Sequence, residues 1–237
     1  MKHHILAAAA AFAVAPLAGC GKPSTSAAAS ATPPAPSAVA GVVINQGDPI
    51  PREFLQSDDV AAVQEAIHLG ADVNAAYEDP KITALHIATA YNAVNSLPVL
   101  LVAGADPNAP TAGWTPLMNC AAVNNRIALA TILLDGGADP DHPGGAGQTA
   151  LMLAAHQGQA DFVTLLLDRG ADIHATNKYG ATALHEAASN PHKGVDVVEL
   201  LLDRGADPFA TTNVGDTPRD VAASQSAGEP FIALLPE

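Results

Sequence analysis

The phrase LLLDRGAD stands at residues 165–172 and again at 200–207. Its last three residues, Gly-Ala-Asp, begin at Gly70, Gly104, Gly137, Gly170 and Gly205, at intervals of 34, 33, 33 and 35. A second phrase keeps step with it, starting at Thr83, Thr115, Thr149, Thr182 and Thr217: Thr-Ala-Leu-His, Thr-Pro-Leu-Met, Thr-Ala-Leu-Met, Thr-Ala-Leu-His and Thr-Pro-Arg-Asp. Two phrases in fixed phase at one period require a stack of similar units, because repetition on this scale is the signature of solenoid architectures.

The third unit shows what each one builds. Thr149 is placed to cap a helix by accepting bonds from amides that lack intrahelical partners, and Leu151, Ala154 and Ala155 fall on one face at helical spacing. Gly158 ends that short helix. A second helix is predicted from about Ala160, with Phe162, Val163, Leu165, Leu166 and Leu167 apolar, and Gly170 supplies its left-handed stop. Pro116 and Pro218 suit the first turn of a helix, where the missing amide hydrogen costs nothing. Such a unit cannot bury both its apolar faces alone, whereas stacked neighbours can, and the small Ala positions let neighbours approach closely. No stretch sustains the alternation of a half-buried strand, so the class is all-α.

Thr-(Pro/Ala)-Leu-His, the small first helix and Leu-Leu-x-x-Gly-Ala-Asp together resemble the ankyrin repeat in period and order. The resemblance implies four full repeats at 80–110, 112–143, 146–176 and 179–211, a capping repeat over 48–79 and a closing cap over 212–237. In the first cap Pro51 starts a helix and Asp58-Asp59 cap the next one, through Leu69; Pro230 starts the last helix. Two departures stand out: Lys81 occupies the usual turn glycine's place, and the fourth repeat carries two extra residues around Pro191–Gly194, predicting a widened turn.

The first fifty residues differ. Residues 1–20 read MKHHILAAAAAFAVAPLAGC, with an apolar run too short to span a membrane stably. Leu17-Ala18-Gly19-Cys20 resembles the lipobox of bacterial lipoproteins, which implies a signal peptide over 1–19 and lipid on Cys20. An ordinary secretory signal fits poorly, because cleavage after Ala18 or Gly19 leaves Pro16 or Leu17 where a small residue is wanted. Gly21, rather than Asp, follows the cysteine, so the resemblance favours the periplasmic face of the outer membrane. Residues 20–47 are rich in Pro, Ala and Ser; they read as a tether reaching roughly 80 Å at ~3.1 Å per residue if extended.

Charge narrows the partner. All 24 acidic residues lie at or beyond Asp48 against 8 of the 10 bases. That sign of field disfavours nucleic acid and suits a basic protein partner.

Few residues suggest chemistry. His86 and His185 are three units apart, roughly 30 Å at one helix diameter per step, too far to share a metal. In the family this histidine ties its ring to neighbouring backbone and to the Thr hydroxyl. Asp139-Pro140-Asp141-His142 lacks the ligand alternation of a calcium loop, and Asp72, Asp106, Asp139, Asp172 and Asp207 read as turn formers. Cys120 stands where other repeats have Ala, so burial is expected; a nucleophile there would need an aligned base. No phosphate loop or nucleophile elbow is present. The sequence therefore predicts a non-enzyme without cofactor or metal, as a monomer.

Ankyrin partners meet the hairpin tips and the exposed ends of the first helices. Carried over, the tips give Ile82, Thr111, Ala112, Trp114, Gln148, Lys178, Tyr179 and Asp216, and the helix ends give Tyr91, Val123, His156, Gln157, Ser189 and Asn190. The candidate protein-binding set is Tyr91, Trp114, His156, Gln157, Lys178, Tyr179 and Ser189, since aromatic anchors dominate binding hot spots. The function expected is a lipid-anchored envelope interaction module, as an immunity or inhibitor protein or as accessory to a periplasmic stress enzyme. A general envelope scaffold and a hydrolase using Cys120 are the alternatives.

Overall fold

The computed structural model describes residues 42–78, 82–124, 126–190, 192–193, 195–225 and 229–235. The signal, the lipobox cysteine Cys20, Lys81, Pro191 and Gly194 lie outside these residues. Among the described residues the backbone forms twelve α-helices and one short 3-10 turn, with isolated β-bridges in place of any strand. The helices pair in chain order: α1 (Arg52–Gln56) with α2 (Val60–His68), α3 (Ala84–Tyr91) with α4 (Ser96–Val102), and α5 (Pro116–Ala122) with α6 (Ile127–Asp135). The remaining pairs are α7 (Ala150–Gln157) with α8 (Ala160–Asp168), α9 (Ala183–Ala188) with α10 (Val195–Asp203), and α11 (Pro218–Ala223) with α12 (Glu229–Leu234). First helices stack on first helices and second on second, giving the two-layered solenoid expected of the repeats.

Local chemistry sets these boundaries. The hydroxyls of Thr115 and Thr149 accept from the amides of Met118 and Met152, both at 3.3 Å, and Pro116 and Pro218 occupy first turns. Packing follows from side-chain size. Ala88, Ala154, Ala155, Ala187 and Ala188 are buried in the first-helix layer, while Phe162, Val163 and Leu166 of α8 and Val197, Val198 and Leu201 of α10 fill the space between layers.

Three seams of bonds run between units. At the inner ends, Arg126, Gln159 and Asn190 donate to the carbonyls of Ala90, Ala121 and His156 in the preceding unit, satisfying helix-end acceptors that would otherwise lack partners. Beside the Gly-Ala-Asp turns, Asn74 and Asn108 accept from the amides of Asp106 and Asp139 at 2.8 Å, and Asp141 accepts from that of Asp172 at 2.9 Å. The same position is His174 and then Phe209 in the last two units. Phe209 is 58% exposed. On the outer helices the Asp-Arg pair faces water as expected, but it also bridges units: Arg169 meets Asp135 and Arg204 meets Asp168, each at 2.9 Å. Exposed pairs of this kind contribute about 0–1 kcal/mol each. The charged seam stops there, since the next position toward the N-terminus pairs Val102 with Gly136.

Asp58 departs from expectation. Asp59 alone caps α2, through the Ala62 amide at 3.0 Å. Asp58, held at φ +53°, points into the following unit, where its carboxylate accepts from the amides of Asn95 and Ser96 at 3.1 and 2.8 Å. It therefore ties the cap to the first full repeat. Within the cap, the Tyr77 hydroxyl donates to the Ile50 carbonyl, and the Arg52 guanidinium lies 4.6 Å from the Tyr77 ring centre.

The tightest backbone approach is at Gly158. Its φ is +70°, and a Cβ there would lie 1.8 Å from the Lys193 carbonyl oxygen. Gly158→Ala combines left-handed strain with overpacking and should cost about 2 kcal/mol or more in urea denaturation. Gly104→Ala, at φ +91° with nothing within 4 Å, should cost only about 1 kcal/mol.

Candidate functional site

The two tips that carry aromatic residues are built differently. Thr111 and Trp114 exchange both backbone bonds, at 2.8 and 2.9 Å, around Ala112 and Gly113, whose φ values are +50° and +81°. Positive φ at both central residues is the geometry that matches strand twist in a two-residue hairpin. Trp114 is half-buried against the core, and its carbonyl lies 3.0 Å from Nε2 of His86. The His86 Nδ1 in turn lies 2.9 Å from the Thr83 hydroxyl. His185 repeats the arrangement with Thr182 and the Asp216 carbonyl, at 2.9 and 3.2 Å. Burial lowers the pKa of both rings, which act as neutral braces beneath the next tip.

The second tip is made by an asparagine. Asn177 Oδ1 accepts from the amides of Tyr179 and Ala181 at 2.9 and 3.1 Å, closing the turn that carries Lys178 and Tyr179. The Lys178 ammonium sits 4.9 Å from the Tyr179 ring centre. Tyr179 is 37% exposed, and Tyr91, at the end of α3, 42%.

His156, Gln157 and Ser189 come together at the ends of α7 and α9. The Ser189 hydroxyl donates to the Glu186 carbonyl at 2.7 Å and lies 3.0 Å from His156 Nδ1, so that nitrogen is the donor of the pair. Gln157 accepts from Lys193 at 3.2 Å. Among the described residues no hydrogen bond or ring contact joins Tyr91 or Trp114 to this group. The predicted residues thus form one local cluster in the last two repeats, with two separate aromatic positions nearer the N-terminus.

Sequence reasoning missed the residue at the centre of that cluster. Glu186 is only 4% exposed. Its Oε1 accepts from Asn177 Nδ2 at 3.1 Å, the Gln148 side chain is a second partner, and Oε2 lies 3.8 Å from His156 Nδ1. Burial pushes its carboxyl up to about 7, and burial also lowers the pKa of His156. The signal was available in register: the position holds Ile87, Leu153 and Val221 in other units, with Asn119 the one other polar residue.

The remaining candidates for chemistry are committed to structure. Cys120 is fully buried, its thiol pushed up to about 12 by burial, which keeps it protonated and poorly nucleophilic. The Asp carboxylates of the five Gly-Ala-Asp turns each accept from the amide two residues on, at 2.8–2.9 Å. Asp141 additionally takes the Asp172 amide of the next unit. Among the described residues no group of three or more His, Cys, Asp or Glu could hold a metal ion.

A family profile described as ankyrin repeats (3 copies) matches residues 55–144 and 121–212. The chain belongs to the ankyrin-repeat family. No curated protein matches the sequence. Ankyrin repeats imply a protein–protein interaction module, typically non-catalytic, and the bonds just described hold the tips of this ankyrin domain and bury the Glu186 carboxyl, whose proton is favoured by burial.

That proton has a measurable consequence. A carboxyl whose pKa is raised in the fold favours the fold fully below its ordinary value of 4.5 and loses that contribution as pH rises through about 7. Relative to Glu186→Gln, the wild type should lose roughly 3 kcal/mol between pH 4.5 and 8 in paired urea denaturations. The contributions of His86 and His185 oppose this trend on the acid side and cancel in the difference between the two proteins, whereas His156, 3.8 Å from the carboxylate, responds to the substitution itself.

Proposed function

We propose that this ankyrin domain is a lipid-anchored recognition module of the bacterial envelope that binds a basic protein through its tips and first-helix ends. The observation that carries the reading is where the repeats differ. Positions that repeat are spent on caps, turns and the core, whereas Tyr91, Trp114, His156, Gln157, Lys178, Tyr179 and Ser189 vary and lie on the tips or inner ends. Among the described residues, Tyr91 and Tyr179 are also among the large hydrophobic side chains that remain exposed. Aromatic rings with a polar edge are the side chains that concentrate binding energy. The acidic body supports a basic partner by steering its approach.

Anchoring rests on Leu17-Ala18-Gly19-Cys20, with the Pro/Ala/Ser stretch as spacer. Acyl chains give firm attachment because each buried methylene adds about 0.8 kcal/mol. An immunity or inhibitor protein, or an accessory to a periplasmic stress enzyme, fits this arrangement.

Two experiments test the two halves of the reading. The full chain, solubilised in mild detergent, should capture a partner from envelope extracts, and Trp114→Ala/Tyr179→Ala should reduce that capture at least tenfold, as expected for loss of hot-spot aromatics; equal capture by both rejects the surface. Cys20→Ser should move the protein from the membrane to the soluble fraction. Unchanged fractionation rejects the anchor.

A further inference from the structure

We propose that Glu186 is the positioning residue of the Lys178–Tyr179 tip and that, with His156, it makes partner binding through this tip depend on its protonation. The proposal rests on the recognition reading above and adds to it a residue and a linkage that the repeat pattern does not contain.

The argument starts from one side-chain amide that faces two ways. Asn177 donates through Nδ2 to Glu186 and accepts through Oδ1 from the amides of Tyr179 and Ala181. It cannot be turned over, because its NH2 group would then face two N–H donors. The orientation of the tip is therefore locked to the presence of an acceptor on Glu186. Asn177 is itself buried, so losing that acceptor strands a buried donor.

An ionised Glu186 offers only acceptors and meets donors from Asn177 and Gln148, both strengthened by its charge. Once protonated, it carries a donor with no matching acceptor on Asn177, and the bond that braces the tip loses its charge assistance. The neutral-range position of this change agrees with the upward push that burial gives the carboxyl.

The charged and titratable groups around Glu186 sharpen the sign. From α7 comes His156, whose Nδ1–H is held by Ser189, leaving Nε2 to take a proton. Lys193, in the turn after α9, disfavours that proton on His156. Lys178 stands on the tip itself, over the Tyr179 ring. On the same helix, His185 has both ring nitrogens committed to Thr182 and the Asp216 carbonyl. From the following unit, Asp220 is held by Thr217. From α10 the buried residues Val197, Val198 and Leu201 are apolar, and its acids Asp196, Glu199 and Asp203 are exposed. Among the described residues, His156 is the basic side chain shown within 4 Å of the carboxylate, and Arg219 of the following unit is turned to the carbonyls of Ile232 and Leu235. As pH falls and Glu186 takes its proton, the bond that braces Asn177 weakens, so the tip loosens and affinity drops.

The test follows the tip directly and then the partner. In proton–nitrogen NMR spectra of the full chain in detergent micelles, the Tyr179 and Ala181 amides should shift between pH 5.5 and 8.5 with a midpoint near 7. Glu186→Gln, which keeps an acceptor but cannot titrate, should abolish that transition. Glu186→Leu installs the residue of the third repeat's equivalent position, Leu153; it should fold and raise hydrogen exchange of the two tip amides about tenfold. A transition that survives in Glu186→Gln, or tip amides that are silent in the wild type, overturns the positioning role. With envelope extract as the probe, wild-type capture should fall about fivefold from pH 8 to pH 6, and Glu186→Gln should flatten it. Capture that needs Tyr179 yet is equal at both pH values overturns the proton linkage and leaves the recognition surface standing. Capture indifferent to Tyr179→Ala overturns binding through this tip, while the NMR arm still decides what Glu186 positions.

Discussion

A pair of short helices joined by a tight turn has more apolar surface than it can cover by folding on itself. Each first helix here spans six to eight residues from α3 to α11, below the length at which an isolated helix is stable in water. What holds such helices is the neighbouring unit, and everything else in the molecule serves that contact. The alanines of the first layer let backbones come close. The leucines of the second layer fill the gap that remains. Side chains of one unit then satisfy backbone groups of another, as Gln159 does for Ala121 and Asp58 does for Asn95 and Ser96. Stability in this arrangement is a sum over interfaces between neighbours rather than the property of one central core.

This dependence explains which parts of the chain could be read from its sequence. Phrases such as Thr-Ala-Leu-His and Leu-Leu-x-x-Gly-Ala-Asp carry caps, stops and core residues that every unit needs, so their recurrence exposes fold and helix order together. Thr149, Gly158 and Gly170 act as their spacing predicts. Bonds between units are harder to see, because donor and acceptor sit some thirty residues apart and neither breaks a local rule. Asp58 looked like a second cap for its own helix because it precedes one. Its left-handed backbone turns it toward the next unit instead. The Asp-Arg pair looked like a solvated ending, and only the stacked geometry shows that each arginine meets the aspartate of the unit before it.

The candidate surface was legible in the same uneven way. Exposed tips and helix ends follow from register, and Tyr91 and Tyr179 are exposed where that register puts them. The carboxylate that organises the last cluster was missed, because Glu186 sits among helix-forming residues and gives no sign of burial until its register is compared with Ile87 and Leu153. A charged residue in a slot that other units fill with aliphatics is a stronger pointer than any exposed side chain, since burying a carboxylate costs free energy that packing alone never recovers.

The asparagine seam has a further meaning at its far end. A repeat stack is a one-dimensional assembly whose two ends differ, so any interface between units is also a template for head-to-tail growth by other copies. Asn74, Asn108 and Asp141 each offer an acceptor to the unit that follows. The last of these bonds joins Asp141 to Asp172; His174 and then Phe209 hold the position in the two units beyond, and among the described residues neither continues the row. The row of side-chain acceptors therefore runs out before the closing helices α11 and α12 are reached, and an exposed ring stands in its line, as a chain-stopper stands in a polymer.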